Sequence, residues 1–241
     1  MCVASIAWDA HPDWLLVAIG NRDEFHEREA APLSAWDGNG ILAGRDLRAG
    51  GTWLGVSDQG RFALVTNYRV PEGPQPGRPS RGALVTDLLE GKSPEGTAQM
   101  NPFNLVYADA STAQFLTNYP YECRTLEPGI YGMSNGAFDR PWPKTLQLNA
   151  DLEAWLDSGT SDPKTLFTAL MAESPEPGAV HEGEGPESVY APVFIRHPVY
   201  GTRCSTVITI ARDGRGRITE RSYSPGGEPT RQVAIDFDWP T

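Results

Sequence analysis

Short apolar, partly β-branched runs recur along this chain in pairs, each pair separated by a turn-forming cluster. Cys2–Ala7 and Leu15–Gly20 flank His11-Pro12-Asp13, and Thr52–Val56 and Arg61–Asn67 flank Ser57-Asp58-Gln59-Gly60. Asn104–Ala108 and Ala113–Asn118 flank Asp109-Ala110-Ser111-Thr112, and Cys204–Ala211 and Arg217–Ser224 flank Arg212 to Gly216. Such pairs read as β-hairpins, and runs this apolar read as strands buried within a sheet. Gln232–Phe237 reads as a last strand. Helix signals are few. Ser80 is placed to cap a helix running to Glu90, with Leu84, Val85, Leu88 and Leu89 on one face and Gly91 as its stop. Pro143 to Ser158 and Pro163 to Ala172 read as two more helices. Pro71 to Pro79, with four prolines and two glycines, reads as a loop. Strands and helices do not alternate one for one, which argues against a parallel doubly wound sheet. An α+β domain of antiparallel hairpins with helices on their faces is the expected architecture.

The 241 residues suffice for one large core, and the expected organisation is a single domain over 1–241. The stretch 173–190, acidic and rich in Gly and Pro, reads as a surface loop inserted in it. The formal net charge of −11, with no basic stripe, argues against binding a nucleic-acid backbone. No apolar run reaches the length of a membrane span. The first residues show no cationic segment ahead of a long apolar stretch, so no signal peptide is expected and a cytoplasmic location is. Cysteines at 2, 123 and 204 form neither a disulfide framework nor a CxxC metal site.

Cys2 is the first residue with chemical interest. Removal of the initiator Met would leave a thiol and a free α-amine on one residue. Their unperturbed pKa values are about 8.5 and about 7.7–8.0. Such an amine takes the thiol's proton and later returns it to a leaving group, combining nucleophile and base. A small core residue in the first strand is the plainer reading of the position alone. Asn21-Arg22-Asp23-Glu24 follows the second apolar run, and a short hairpin would bring it back beside Cys2. A carboxylate there would hold or orient the ammonium, and an arginine would favour the thiolate. Asn67, Asn135 and Arg203 lie at the ends of predicted strands. Turn chemistry is the plainer reading of each alone, and an asparagine amide there is also suited to donate to an oxyanion.

Eight motifs occur in a fixed order. They are Met1-Cys2, Asn21-Arg22-Asp23-Glu24, Gly50-Gly51-Thr52-Trp53-Leu54-Gly55, Thr66-Asn67-Tyr68-Arg69, Ser80-Arg81-Gly82, Tyr131-Gly132-Met133-Ser134-Asn135, Asp139-Arg140-Pro141-Trp142-Pro143-Lys144 and Tyr200-Gly201-Thr202-Arg203. In this order they resemble the NRDE family, which includes the transport and Golgi organisation protein 2 homologues. The resemblance runs from Cys2 to about Ser224. The family is similar to N-terminal nucleophile hydrolases, which implies a four-layer αββα sandwich of two antiparallel sheets. In the cysteine members that cleave amides, the mature N-terminal Cys is the nucleophile. By resemblance Cys2 is that nucleophile here. Arg22, Asp23 and Arg203 would set the charge of its amine and thiol, and Asn67 and Asn135 would stabilise the oxyanion. Arg22 and Asp23 are adjacent, whereas two residues separate their counterparts in those hydrolases.

The resemblance implies two functions. One is hydrolysis of a small-molecule, non-peptide C–N amide bond, for which no cofactor is required. The other is a non-catalytic protein on the same fold that traffics haem or binds an acyl-CoA-like or lipid ligand, with haem as cargo. Haem would call for an axial ligand, and the candidates are Cys2, His11, His26, His181 and His197. No metal site is expected. Trp53 and Trp142 lie within the motifs and are the better candidates for lining an apolar pocket. Oligomeric state is left open.

Overall fold

The structure, a computed structural model, describes residues 2–174 and 190–240. Most of the acidic stretch 173–190, with His181, therefore lies outside the described residues. Among the described residues, thirteen strands form two wholly antiparallel sheets. The first sheet has the order β10-β1-β2-β11-β12-β13. Its strands are β1 (Val3–Trp8), β2 (Trp14–Phe25), β10 (Gly129–Met133), β11 (Tyr200–Ala211), β12 (Arg215–Tyr223) and β13 (Pro229–Asp238). The second is a meander, β3 (Ala30–Ala35), β4 (Ile41–Asp46), β5 (Leu54–Ser57), β6 (Arg61–Asn67), β7 (Phe103–Ala108), β8 (Ala113–Asn118) and β9 (Tyr121–Thr125), paired in chain order.

The side-chain alternation of the strands creates four layers. In β1, Ala4, Ile6 and Trp8 point into one apolar cluster together with Leu54, Val56, Phe62 and Leu64 of the other sheet. This is the seam between the sheets. Val3 and Ala7 point the other way, into a cluster with Leu148, Leu152 and Trp155 of α2 (Pro143–Asp157) and Leu166, Phe167 and Leu170 of α3 (Lys164–Leu170). Ala63 and Val65 of β6 face outward onto Leu84, Val85, Leu88 and Leu89 of α1 (Arg81–Leu89). The chain is thus an α+β, αββα sandwich, as the resemblance implied.

The hairpins expected from the apolar runs are present, and α1 begins where the capping signal lies. The Ser80 side chain accepts from the Gly82 N–H at 3.2 Å, and Gly91 follows the helix with φ of +86°. The structure adds β3, β9 and β10, which carry weaker apolar signals; all five residues of β9 are exposed. One boundary is corrected. The second strand does not stop at Gly20 but runs to Phe25, so Asn21-Arg22-Asp23-Glu24 is strand and not the segment after one. Burial between β1 and β11 overrides the low strand preference of these polar residues.

Candidate active site

The continuation of β2 determines where its polar residues point. Asn21 faces the helical layer. Its Nδ2 donates to the Leu170 carbonyl at 2.7 Å and the Val193 carbonyl at 2.9 Å, and its Oδ1 accepts from Ser205 Oγ at 2.6 Å. Asn21 therefore fastens α3 to the sheet and has no place in the chemistry. Arg22, one step on, turns to the opposite face, into a cleft of about 960 Å³ between the two sheets.

Cys2 lines this cleft and is partly exposed. Val3 pairs with Asn21, so extending the ladder by one residue sets Cys2 opposite Arg22, with Asp23 one step further out. On the far side of β2, Arg22 pairs with Cys204 and Asp23 with Thr202. Burial pushes the Cys2 thiol up; the Asp23 carboxylate adds to this, while the Asp23 backbone N–H and the Arg22 guanidinium oppose it. Arg22 is buried and its Nη1 has no hydrogen-bond partner among the described residues.

Asp23 is buried, and burial pushes its carboxyl up. Lys144, a hydrogen bond from Thr202 Oγ1 at 2.7 Å, and Arg22 all favour its charged form. Lys144 is 1% exposed, the most deeply buried of the charged groups around Cys2. It sits in the first turn of α2, and its Nζ donates to the Tyr190 carbonyl at 3.1 Å. Burial pushes its ammonium down, against the attraction of Asp23 and Cys2. Reading the sequence for site residues passed over Lys144, because a lysine after Pro143 at a helix start normally extends into water. Its place at the end of a recurring motif was the available signal.

Arg22 Nη2 and Arg28 Nε share Asp46 Oδ2 at 3.1 Å and 2.6 Å, with Glu24 at 4.0 Å and 3.8 Å. Burial pushes the Asp46 carboxyl up, but its bonds from Arg28 and the Ala49 N–H outweigh this and hold it below the usual carboxylate range. Two arginines and two carboxylates thus form a balanced group at one wall.

The remaining expected residues take different positions. Asn67 ends β6 and lines the cleft. Asn135 is buried one layer behind it: its Nδ2 donates to the Asn67 carbonyl at 2.6 Å, and its own carbonyl accepts from the Arg69 N–H at 2.8 Å. Asn135 thus clamps the backbone that carries Asn67. Arg203 is the extra residue of a β-bulge between Thr202 and Cys204, which aims it at the cleft. Its Nη1 donates to the Phe25 and Arg28 carbonyls, at 2.9 Å and 3.0 Å. Trp53 lines the cleft, whereas Trp142 is buried at the N-cap of α2. Cys204 is buried beside Arg22 with its thiol pushed well up, by burial first and then by Glu220.

Two recurring motifs meet at the cleft wall. A Cβ on Gly51 would lie 2.4 Å from the Gly82 carbonyl carbon, so only glycine permits this approach. The contact sets the first turn of α1, and with it Arg81, against the cleft. Among the described residues, no group of three or more His, Cys, Asp or Glu side chains is placed to hold a metal ion, and no helix is long and apolar enough to cross a membrane.

Comparison with known proteins shows the family and the fold. The family model for Transport and Golgi organisation 2 matches residues 1–225. The Transport and Golgi organization protein 2 homolog of Bos taurus is 35% identical over 270 residues, spanning 96% of this chain and 96% of that protein. The Homo sapiens homolog is 35% identical over 260 residues, spanning 92% and 93%. Among solved structures, a mutant conjugated bile acid hydrolase from Clostridium perfringens superposes with a TM-score of 0.57 at 11% identity, covering 98% of this chain and 92% of that one. That likeness places the chain in the N-terminal nucleophile hydrolase fold. The ordered motifs, the full-length relatives and the family match together show that the chain belongs to the Transport and Golgi organisation 2 family.

Proposed function

We propose that this protein hydrolyses a non-peptide amide with Cys2 as nucleophile. The observation that carries this reading is the position of Cys2: it heads the first strand, opens onto the cleft, and has Arg22 on its flank and Asp23 and Lys144 within electrostatic reach. After loss of Met1, the α-amine of Cys2 leads along the strand direction toward Asp23. That carboxylate, with Lys144 behind it, orients the amine as it takes the thiol's proton. The thiolate attacks the amide carbonyl. An S–C bond forms, and the developing oxyanion is stabilised by cleft donors, with Asn67 and the unpaired Arg22 N–H best placed. The C–N bond then breaks as the ammonium protonates the leaving nitrogen. Water, deprotonated by the same amine, attacks the thioester, releases the acid and returns the proton to sulfur.

The trafficking alternative draws on the size and charge of the cleft. For haem, the cleft wall offers Cys2 and Cys204 but none of His11, His26 or His197. A panel of short-chain acyl amides separates the two readings. Release of free amine by the Met-free protein, lost in Cys2→Ala, supports hydrolysis. No release, together with a saturable haemin Soret shift unaffected by Cys2→Ala, would replace hydrolysis with binding.

A further inference from the structure

The chain is acidic, yet eight of its 20 lysines and arginines line this one cleft, all of them arginines, against four carboxylates. Arg22 and Arg28 are balanced by Asp46 and Glu24. Arg22 and Arg231 both favour the charged form of Glu220, and Lys144 that of Asp23. That leaves Arg45, Arg48, Arg78, Arg81 and Arg203 without a carboxylate in ion-pair contact among the described residues, although Glu24 acts electrostatically on Arg81 and Arg203. Arg203 is committed to two backbone carbonyls, so four remain.

Three of these four, Arg45, Arg78 and Arg81, are held in place by groups other than a paired carboxylate. Arg45 stacks on Trp36 at 4.5 Å and donates to the Gly50 carbonyl at 3.0 Å. Arg78 donates to Gln75 Oε1 at 2.9 Å and to the Met100 carbonyl at 3.0 Å. Arg81 is half-buried, donates once, to the Pro102 carbonyl at 3.1 Å, and acts electrostatically on Cys2. A guanidinium has five donors, so each of these keeps several for a ligand. The cleft lining also includes apolar side chains, among them Ala30, Pro32, Trp53, Val65, Pro76 and Pro79. A cleft with eight arginines against four carboxylates concentrates an anion and discriminates against a neutral molecule of the same shape.

We infer that the ligand of this cleft is an acyl amide bearing an anionic group of the carboxylate or phosphate class, with Arg81 as the principal anchor and Arg45, Arg48 and Arg78 around it. The inference deepens the amide reading and rests on it for the identity of the bond cleaved; the charge preference stands on the arginines alone. The specificity residue is Arg81, because the close approach of Gly51 and Gly82 sets it at the cleft wall that it shares with Cys2.

The test uses Cys2→Ala full-length protein, which binds without turnover, and three probes with one acyl chain: N-hexanoylglycine, N-hexanoyl phosphoethanolamine and N-hexanoylethanolamine. Calorimetry is expected to show at least one anionic probe binding about ten-fold or more tightly than the neutral one, the worth of one charge-assisted pair. The tighter of the two anionic probes assigns carboxylate or phosphate. The advantage shrinks as salt rises. Adding Arg81→Gln should erase most of the preference while leaving affinity for the neutral probe within two-fold, and Arg81→Lys should restore part of it. Equal binding of all three probes, binding of none by a protein with an intact thermal transition, or a preference untouched by Arg81→Gln would each overturn the inference. Wild-type turnover with all three probes separates the two failures. An anionic preference in binding without any hydrolysis sinks the amide reading and leaves the anion site; hydrolysis without charge preference does the reverse.

Discussion

The two ends of the β1–β2 hairpin are built on opposite principles. At the turn end, Ile6, Trp8 and Leu16 pack in one apolar cluster with the facing sheet, and their burial stabilises the fold. At the open end, the same two strands bury Arg22 and Asp23 beside Cys2, with Lys144 behind them. Burial there works against the groups it encloses: it pushes Asp23 and Cys2 up and Lys144 down. A strand that needed only to fold would continue the apolar alternation. Charge buried in close register around a thiol costs stability, and that cost is understandable where chemistry needs shifted proton affinities.

Substitutions at the two ends should therefore differ in kind. Cys2→Ala removes the nucleophile and should abolish amide turnover, while the thermal midpoint stays within a few degrees of wild type; loss of turnover with wild-type stability is the signature, and retained turnover contradicts the mechanism. Lys144→Met removes one partner of a buried charged group and should destabilise the fold by about 3 kcal/mol in urea unfolding. Combined with Asp23→Asn, the loss should fall by more than half, because no negative charge is then left buried without its ammonium counter-charge. A purely additive double mutant would show that the two groups act separately.

Ser80→Ala should cost about 1 kcal/mol through loss of the α1 cap. It should weaken anionic ligands more than neutral ones, since the cap sits one residue before Arg81. At the turn end, Ile6→Val should cost about 1 kcal/mol with kcat/KM unchanged. A change in kcat/KM there would erase the contrast between the two ends.

The pH dependence follows from the open end. Burial raises Asp23 in the folded state, so between the unfolded and folded pKa values the folded protein holds the extra proton. Stability is then full below the unfolded value and falls as pH rises through the folded one. Glu220, also raised by burial, adds to the same slope. Asp23→Asn should flatten it, as read from urea midpoints across the acidic to neutral range.

What the sequence discloses follows the same division. Where continuous apolar runs and turn residues agree, as at Leu15–Gly20 and Arg61–Asn67, strands are legible, and Ser80 with Gly91 frames α1. β9, exposed on every residue, has no apolar face to read. The strand nature of Asn21 to Glu24 is hidden because its buried partners come from β11, some 180 residues away, and from Asp46 in the other sheet. Ordered motifs led to Cys2, Arg22 and Asp23. Asn135 belongs to the site as a clamp on the backbone of Asn67, a distinction that depends on hydrogen-bond direction. Lys144 and Arg81 were present in the motifs, but their roles depend on burial and on the absence of a carboxylate partner, which only the packed structure displays.

The central claim is that the Cys2 sulfur, freed at the chain start, carries the acyl group. Intact-mass and peptide mass spectrometry of the wild-type protein, quenched in acid during turnover of an acyl amide, tests it directly. The account predicts a chain lacking Met1 with one acyl group on Cys2, removed by hydroxylamine. A chain that keeps Met1, or an acyl group found on Cys123 or Cys204 and never on Cys2, would contradict it.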